Sequence, residues 1–294
     1  MPYREPLPPD AVPAPVLPRP PMAVRTGNLY VLLAVFPLPV AFLLALESQV
    51  EVAVVIVAVW LLAASAWVFS LRRSAKGDNA ANLQAVTLIR EGEPRKAAVI
   101  LDALLARSFA NPARYSLYLL NRGVAALEMG NLAGARAMLC GVQQRVVWLE
   151  KAFPPFVPVL LEALGRTEAL AGDLDAAEKW QGETRARLVS GSVTALQLDV
   201  IIAARRGRLD DAEALLQLNW NAAEGRMTAP AMKLVRVLRA FVANRRTPDD
   251  DGAVEVWLAG VRPVRGGMFT YLGTQWPDFA AFERKYLPGA EAPS

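Results

Sequence analysis

"GNLAGA" at residues 130–135 is written again as "GDLDAA" at 172–177 and "GRLDDA" at 207–212, with a looser "GEPRKA" at 92–97. Each copy falls between two stretches whose apolar residues recur at helical spacing, so each reads as a corner between helices. Gly92, Gly130, Gly172 and Gly207 stand where a helix ends in the left-handed conformation, which glycine adopts without a Cβ clash. Asp175 with Glu178, and Asp210 with Glu213, have D-x-x-E spacing, so one carboxylate can cap the next helix while the other reaches back or favours its dipole. Pro94 suits a first helical turn. Ala97, Ala135, Ala177 and Ala212 are small where two helices must approach closely, and Leu132, Leu174 and Leu209 plug the corner. The pattern predicts tight antiparallel helix hairpins. The glycine intervals of 38, 42 and 35 residues suit stacked hairpins of about 34 residues with insertions.

Upstream of the first corner the chain changes character. Residues 1–27 carry nine prolines before Met22, too many for a helix or a buried core, and read as an extended proline-rich tail. Pro6-x-x-Pro9 and Pro15-x-x-Pro18 fit polyproline-II ligands as well as plain spacer. Two uncharged runs follow, 18 residues from Leu29 to Leu46 and 20 from Val52 to Leu71, each reaching roughly 27–30 Å as a helix, enough to cross a hydrocarbon core. They predict a transmembrane helical hairpin over 28–72. Arg19 and Arg25 precede it, Arg72, Arg73 and Lys76 follow it, and its turn holds only Glu47 and Glu51. The positive-inside rule then puts both ends in the cytoplasm. No ionisable group sits within either run, so the hairpin anchors rather than conducts or catalyses. Pro37 and Pro39 are expected to kink the first span.

From Gly77 onward 26 basic residues stand against 24 acidic. That near-balance argues against the concentrated basic patch that a nucleic-acid face needs, and no nucleic acid is expected as a partner. The chain has one cysteine, Cys140, and no histidine, which removes histidine triads, histidine metal sites and intramolecular disulfides. No G-x-x-x-x-G-K-[ST] loop occurs, and "VSGSVTA" around Ser190–Ser192 misses the G-x-S-x-G elbow. Cys140 reads as a small hydrophobe on a second repeat helix, and Asp249–Asp251 as a solvated turn and helix start rather than a metal site. No enzyme, cofactor or metal is expected. Arginine outnumbers lysine 26 to 6 and alanine is abundant, a composition that suggests a bacterial source and hence an inner-membrane location.

The repeats resemble the tetratricopeptide repeat family. In "LNRGVAALEMGNLAGARAML", Gly123, Gly130, Leu132 and Ala135 occupy that family's small, turn-glycine, apolar and alanine positions; in "LGRTEALAGDLDAA", Leu164, Gly165, Gly172, Leu174 and Ala177 do the same. The likeness covers roughly residues 79–260 and is strongest in the two middle repeats. Ala85 in the first repeat and Val200 in the fourth stand at the small position of the first helix, and the usual aromatic and terminal proline are mostly missing. The resemblance implies an α-solenoid of about four to five antiparallel helix pairs over 77–260; with the transmembrane helical hairpin read from the uncharged runs and an aromatic cap and tail over 261–294, the chain is expected to be all-α.

Two stretches fall outside the period. Trp148, Phe153 and Phe156 could form either a buried brace or an exposed hook, and the aromatic segment "MFTYLGTQWPDFAAFERKYL" either caps the last repeat or docks a partner. Arrays of this family bind peptides or partner domains along the first helices of the pairs. Carried over by position, that groove is Asn79, Asn82 and Arg90, then Val124, Leu127 and Glu128, then Glu162 and Arg166, then Gln197 and Arg205. The implied role is a membrane-anchored, non-catalytic scaffold or adaptor for a protein or peptide. The alternatives are an accessory subunit of a membrane enzyme, transporter or secretion complex and, less favoured, a membrane-bound enzyme.

Overall fold

A computed structural model describes residues 50–107, 111–188, 192–262 and 268–287, without the side chains of 50, 53, 63–76 and 107. The proline-rich tail and the first apolar run lie outside these residues. Thirteen helices and no strand occur among the described residues. They are α1 (Val50–Arg90), α2 (Pro94–Arg107), α3 (Pro112–Glu128), α4 (Leu132–Gln143), α5 (Val146–Ala152), α6 (Phe156–Ala171), α7 (Leu174–Arg187), α8 (Leu196–Arg205), α9 (Leu209–Arg226), α10 (Ala229–Arg246), α11 (Asp251–Ala259), α12 (Thr270–Gly273) and α13 (Pro277–Tyr286).

The architecture is all-α and repeat-like. Helices pair as α1 with α2, α3 with α4, α6 with α7, α8 with α9 and α10 with α11, and the first helices of successive pairs touch in the order α1, α3, α6, α8, α10. Four of these corners share one construction. Gly92, Gly130, Gly172 and Gly207 have φ of 76°, 76°, 90° and 74°. The glycine N–H bonds the carbonyl three residues back (Gly130 to Leu127, 2.9 Å), and the next residue's N–H bonds five back (Asn131 to Ala126, 3.0 Å). Those two bonds define a Schellman ending, which satisfies carbonyls the helix terminus would otherwise leave open. The fifth pair turns differently, through residues 247–250, with Asp250 capping α11.

The caps differ from the D-x-x-E reading. Asp173, not Asp175, accepts the Ala176 N–H at 3.0 Å, and Asn131 accepts that of Gly134 at 2.9 Å. At the fourth corner, Gly207, Arg208 occupies the cap position without a side-chain bond. The Schellman ending pins the residue after the glycine beside the new helix's free N–H groups, so that residue, when short and polar, becomes the cap.

Small residues set the packing. Ala97, Ala135, Ala177 and Ala212 are fully buried. An added Cβ on Gly123 would come within 2.8 Å of the Leu139 side chain, and one on Gly165 within 2.5 Å of Leu198. These are the small positions of α3 and α6, and they let α4 and α8 close in. Around them one continuous core runs from Ala85 to Leu287. Arg239 extends the last repeat: its guanidinium lies 4.8 Å from the Trp220 ring and 3.9 Å from that of Trp257 while reaching Glu213 at 2.7 Å, so one cation links α9, α10 and α11.

The off-period stretch before α6 becomes a short helix, α5. Leu149 on it is fully buried, Phe153 and Phe156 pack edge-on at 6.3 Å against the core, and Val147 and Trp148 face outward. At the other end, α1 is helical for 41 residues, straight through the 72–77 boundary expected between hairpin and repeats. Among the described residues no helix is long and apolar enough to cross a membrane. Of the second apolar run, the described side chains of Val52, Val54, Val55, Val59, Leu61 and Leu62 are exposed.

Candidate functional site

The first helices of the pairs form one face, and the C-terminal segment folds back across it. Phe241 on α10 holds that segment by stacking with Trp276 (4.9 Å), Phe279 (5.3 Å) and Phe282 (5.6 Å). From there it reaches the early corners, where Thr274 lies beside Gly130 and Met268 beside Gly92. The aromatic residues, buried at Trp276, Phe279 and Phe282, therefore cap the last pair. The same segment also forms a wall of the groove.

Between that wall and the helices lies a cleft of about 430 Å³. Ile89, Val159, Met227, Leu234 and Phe269 make its apolar sides, and Glu128, Glu162, Arg166 and Tyr271 bring polar groups into it. Glu162 and Arg166 are one helical turn apart on α6 with 2.8 Å between Oε1 and Nε, both more than nine-tenths buried. Tyr271 bonds the same arginine. Glu128, at the end of α3, makes neither a hydrogen bond nor an ion pair among the described residues; it feels Arg166 and Glu162 only through space. Burial pushes its carboxyl up to about 7, with Arg166 opposing and Glu162 reinforcing the shift. Burial likewise raises Glu162. Desolvation favours the neutral form of each acid, and the two acids share one buried guanidinium.

Of the ten residues expected in the groove, Arg90, Glu128, Glu162, Arg166 and Gln197 come together in this cleft. The other five do not. Asn82 accepts from Asn121 at 2.8 Å, tying α1 to α3, and Asn79 is exposed on α1. Val124 packs half-buried against the core and does not line the cleft, and Leu127 is fully buried, so it presents no face to a ligand. Arg205 donates to the carbonyls of Ala169 and Leu170 at the end of α6 and to that of Gln275, with Trp276 against it. It caps a helix and fastens the C-terminal segment, which is structural work.

Sequence reasoning missed Met268, Phe269 and Tyr271. Their aromatic and apolar character was visible, but outside the repeat period nothing gave them a register against the groove. Cys140 is half-buried and its thiol is raised by burial, away from the depressed range of a nucleophile. Among the described residues no group of histidine, cysteine, aspartate and glutamate could hold a metal ion. No family model matches this chain, nor does any curated protein or solved structure.

Proposed function

We propose that this chain is a membrane-anchored, tetratricopeptide-like scaffold without catalytic activity of its own, holding a protein or peptide partner in the cleft of its repeat face on the cytoplasmic side of the inner membrane. The observation that carries the reading is the cleft itself: apolar walls with a few convergent polar groups, built from the helices that repeat arrays use for binding. The anchor rests on the two uncharged runs Leu29–Leu46 and Val52–Leu71 and on the arginines outside them. Because α1 is continuous, the second run and the first repeat belong to one helix. Only about 12 Å of helix separates Leu71 from Asn79 at 1.5 Å per residue, which keeps the cleft close to the bilayer surface.

A second reading makes the chain an accessory subunit whose spans pack against a larger membrane complex. The exposed apolar side chains at the start of α1 suit a protein neighbour as well as lipid. A photo-crosslinking residue at Val159, used in intact membranes, tests the scaffold: a discrete adduct that disappears on Arg166→Glu supports it. Labelling of lipid or water only would sink it. Crosslinks confined to the same residue chemistry placed at Val55 would favour the accessory-subunit reading instead.

A further inference from the structure

The C-terminal segment changes what the repeat face can hold. With Met268 seated at the first corner and Phe269 and Tyr271 walling one side, the groove is a bounded cleft of about 430 Å³ rather than an open channel. A helix about 10 Å across does not fit such a space, whereas one long side chain with its flanking backbone does.

The buried charges select that side chain. Glu162 and Arg166 neutralise each other at 2.8 Å, and Tyr271 adds a second contact to the arginine. Glu128, half-buried on the cleft wall, is left as the carboxylate with neither a hydrogen bond nor an ion pair among the described residues. Among the described residues the other charged groups at this cluster are Arg90, which lines the cleft and is exposed, Arg226, which lines it and has an interaction of its own, and Asp199, which adds negative potential at Glu162. A desolvated carboxylate without a partner either takes up a proton or takes a cation. The apolar walls at Ile89, Val159 and Met227 would meanwhile cover a methylene stem.

We propose that the cleft binds one basic side chain, lysine or arginine, of a partner polypeptide, its charged head paired with Glu128 and its stem lying against the apolar walls. This rests on the reading of the repeat face as a partner-binding surface and names the chemistry of the ligand. Proton release from Glu128 accompanies binding near neutrality, so affinity rises with pH through the range where that carboxyl titrates, about 7, and then levels off.

Calorimetric titration of the full chain in detergent tests this with three probes: a capped pentapeptide with central lysine, the same peptide with norleucine in that place, and free L-lysine. The lysine peptide should bind in the millimolar range or tighter, the norleucine peptide about tenfold or more weakly, a difference of one ion pair. Glu128→Gln should lose about tenfold and with it the rise in affinity between pH 6 and 8. Val159→Trp, at a half-exposed position on the wall, should block the cleft without touching the carboxylates. A thermal melt of each variant checks that it is folded. Undetectable binding of the lysine peptide, equal binding of the norleucine peptide, or full binding by folded Glu128→Gln would overturn the proposal. Equal binding of free lysine would overturn its peptide component. None of these results touches the crosslinking test at Val159, so failure of the ligand chemistry and failure of the scaffold reading stay distinguishable.

Discussion

Truncating Trp276 to alanine should release the C-terminal segment from the repeats. The indole is 4% exposed. It meets Phe241 edge-on at 4.9 Å and Phe279 at 5.5 Å, and the Arg205 guanidinium lies 5.5 Å from its ring. Replacing a buried tryptophan by alanine costs about 3–5 kcal/mol through lost transfer energy and the cavity left behind. The edge-on pair and the cation over the ring place this site in the upper part of that range, at about 0.5–1.5 and 0.5–1 kcal/mol respectively. For a domain of this size, about 2–4 °C per kcal/mol, the melting temperature should fall by roughly 6–20 °C. Circular dichroism melts of residues 77–294 with and without the substitution measure it. An Arg205→Met background separates the cation–ring part, with an expected coupling of about 0.5–1 kcal/mol. A loss below about 1 kcal/mol, the level of an ordinary surface change, would refute the docking of this segment.

Three further outcomes follow from particular residues. Glu128 has its folded carboxyl raised to about 7 from an ordinary 4.5, so the stability of its neutral form is complete below pH 4.5 and is lost as pH rises through 7. Glu128→Gln should therefore leave the melting temperature unchanged near pH 4 and raise it at pH 8, by at most about 3 kcal/mol of stability; a difference independent of pH would contradict this. Gly172→Ala meets only Arg205 at 3.8 Å and keeps a φ of 90°, so denaturant titration should show a pure backbone cost of about 1–2 kcal/mol. Ala177→Trp forces α6 and α7 apart at a fully buried position and should cost about 3 kcal/mol or more, whereas Cys140→Ser at its half-buried site should cost about 1. A Cys140→Ser protein that melts normally yet has lost its partner would point to thiol chemistry instead of a scaffold.

How much of this was legible depends on what each residue can do alone. The four corner glycines were readable because a left-handed helix ending excludes almost every other residue, and the buried alanines because close approach excludes large ones. The cap at Asp173 was misread as Asp175, since the D-x-x-E spacing ignores the Schellman bond that positions the residue after the glycine. The expected domain boundary at 72–77 rests on Arg72, Arg73 and Gly77 ending an apolar run; α1 continues through it because backbone bonding is not interrupted by such a composition shift. In the cleft, Glu128, Glu162 and Arg166 were reachable by repeat position. Tyr271 and Phe269 were not, because they lie outside the repeat period and no periodicity links them to the residues they meet in the cleft, Arg166 on α6 for Tyr271 and the start of α10 for Phe269. Leu127 and Arg205 failed as groove residues for a similar reason: the direction of a helical side chain depends on how far each pair rotates on the next.

The central claim, a repeat domain fixed to the bilayer through its first helix, is tested most directly by alkaline carbonate extraction of membranes holding either the full chain or residues 77–294. The full chain should stay in the pelleted membrane and the shorter one should remain in the supernatant, folded and helical. Release of the full chain by carbonate, or pelleting of residues 77–294 on their own, would contradict the account.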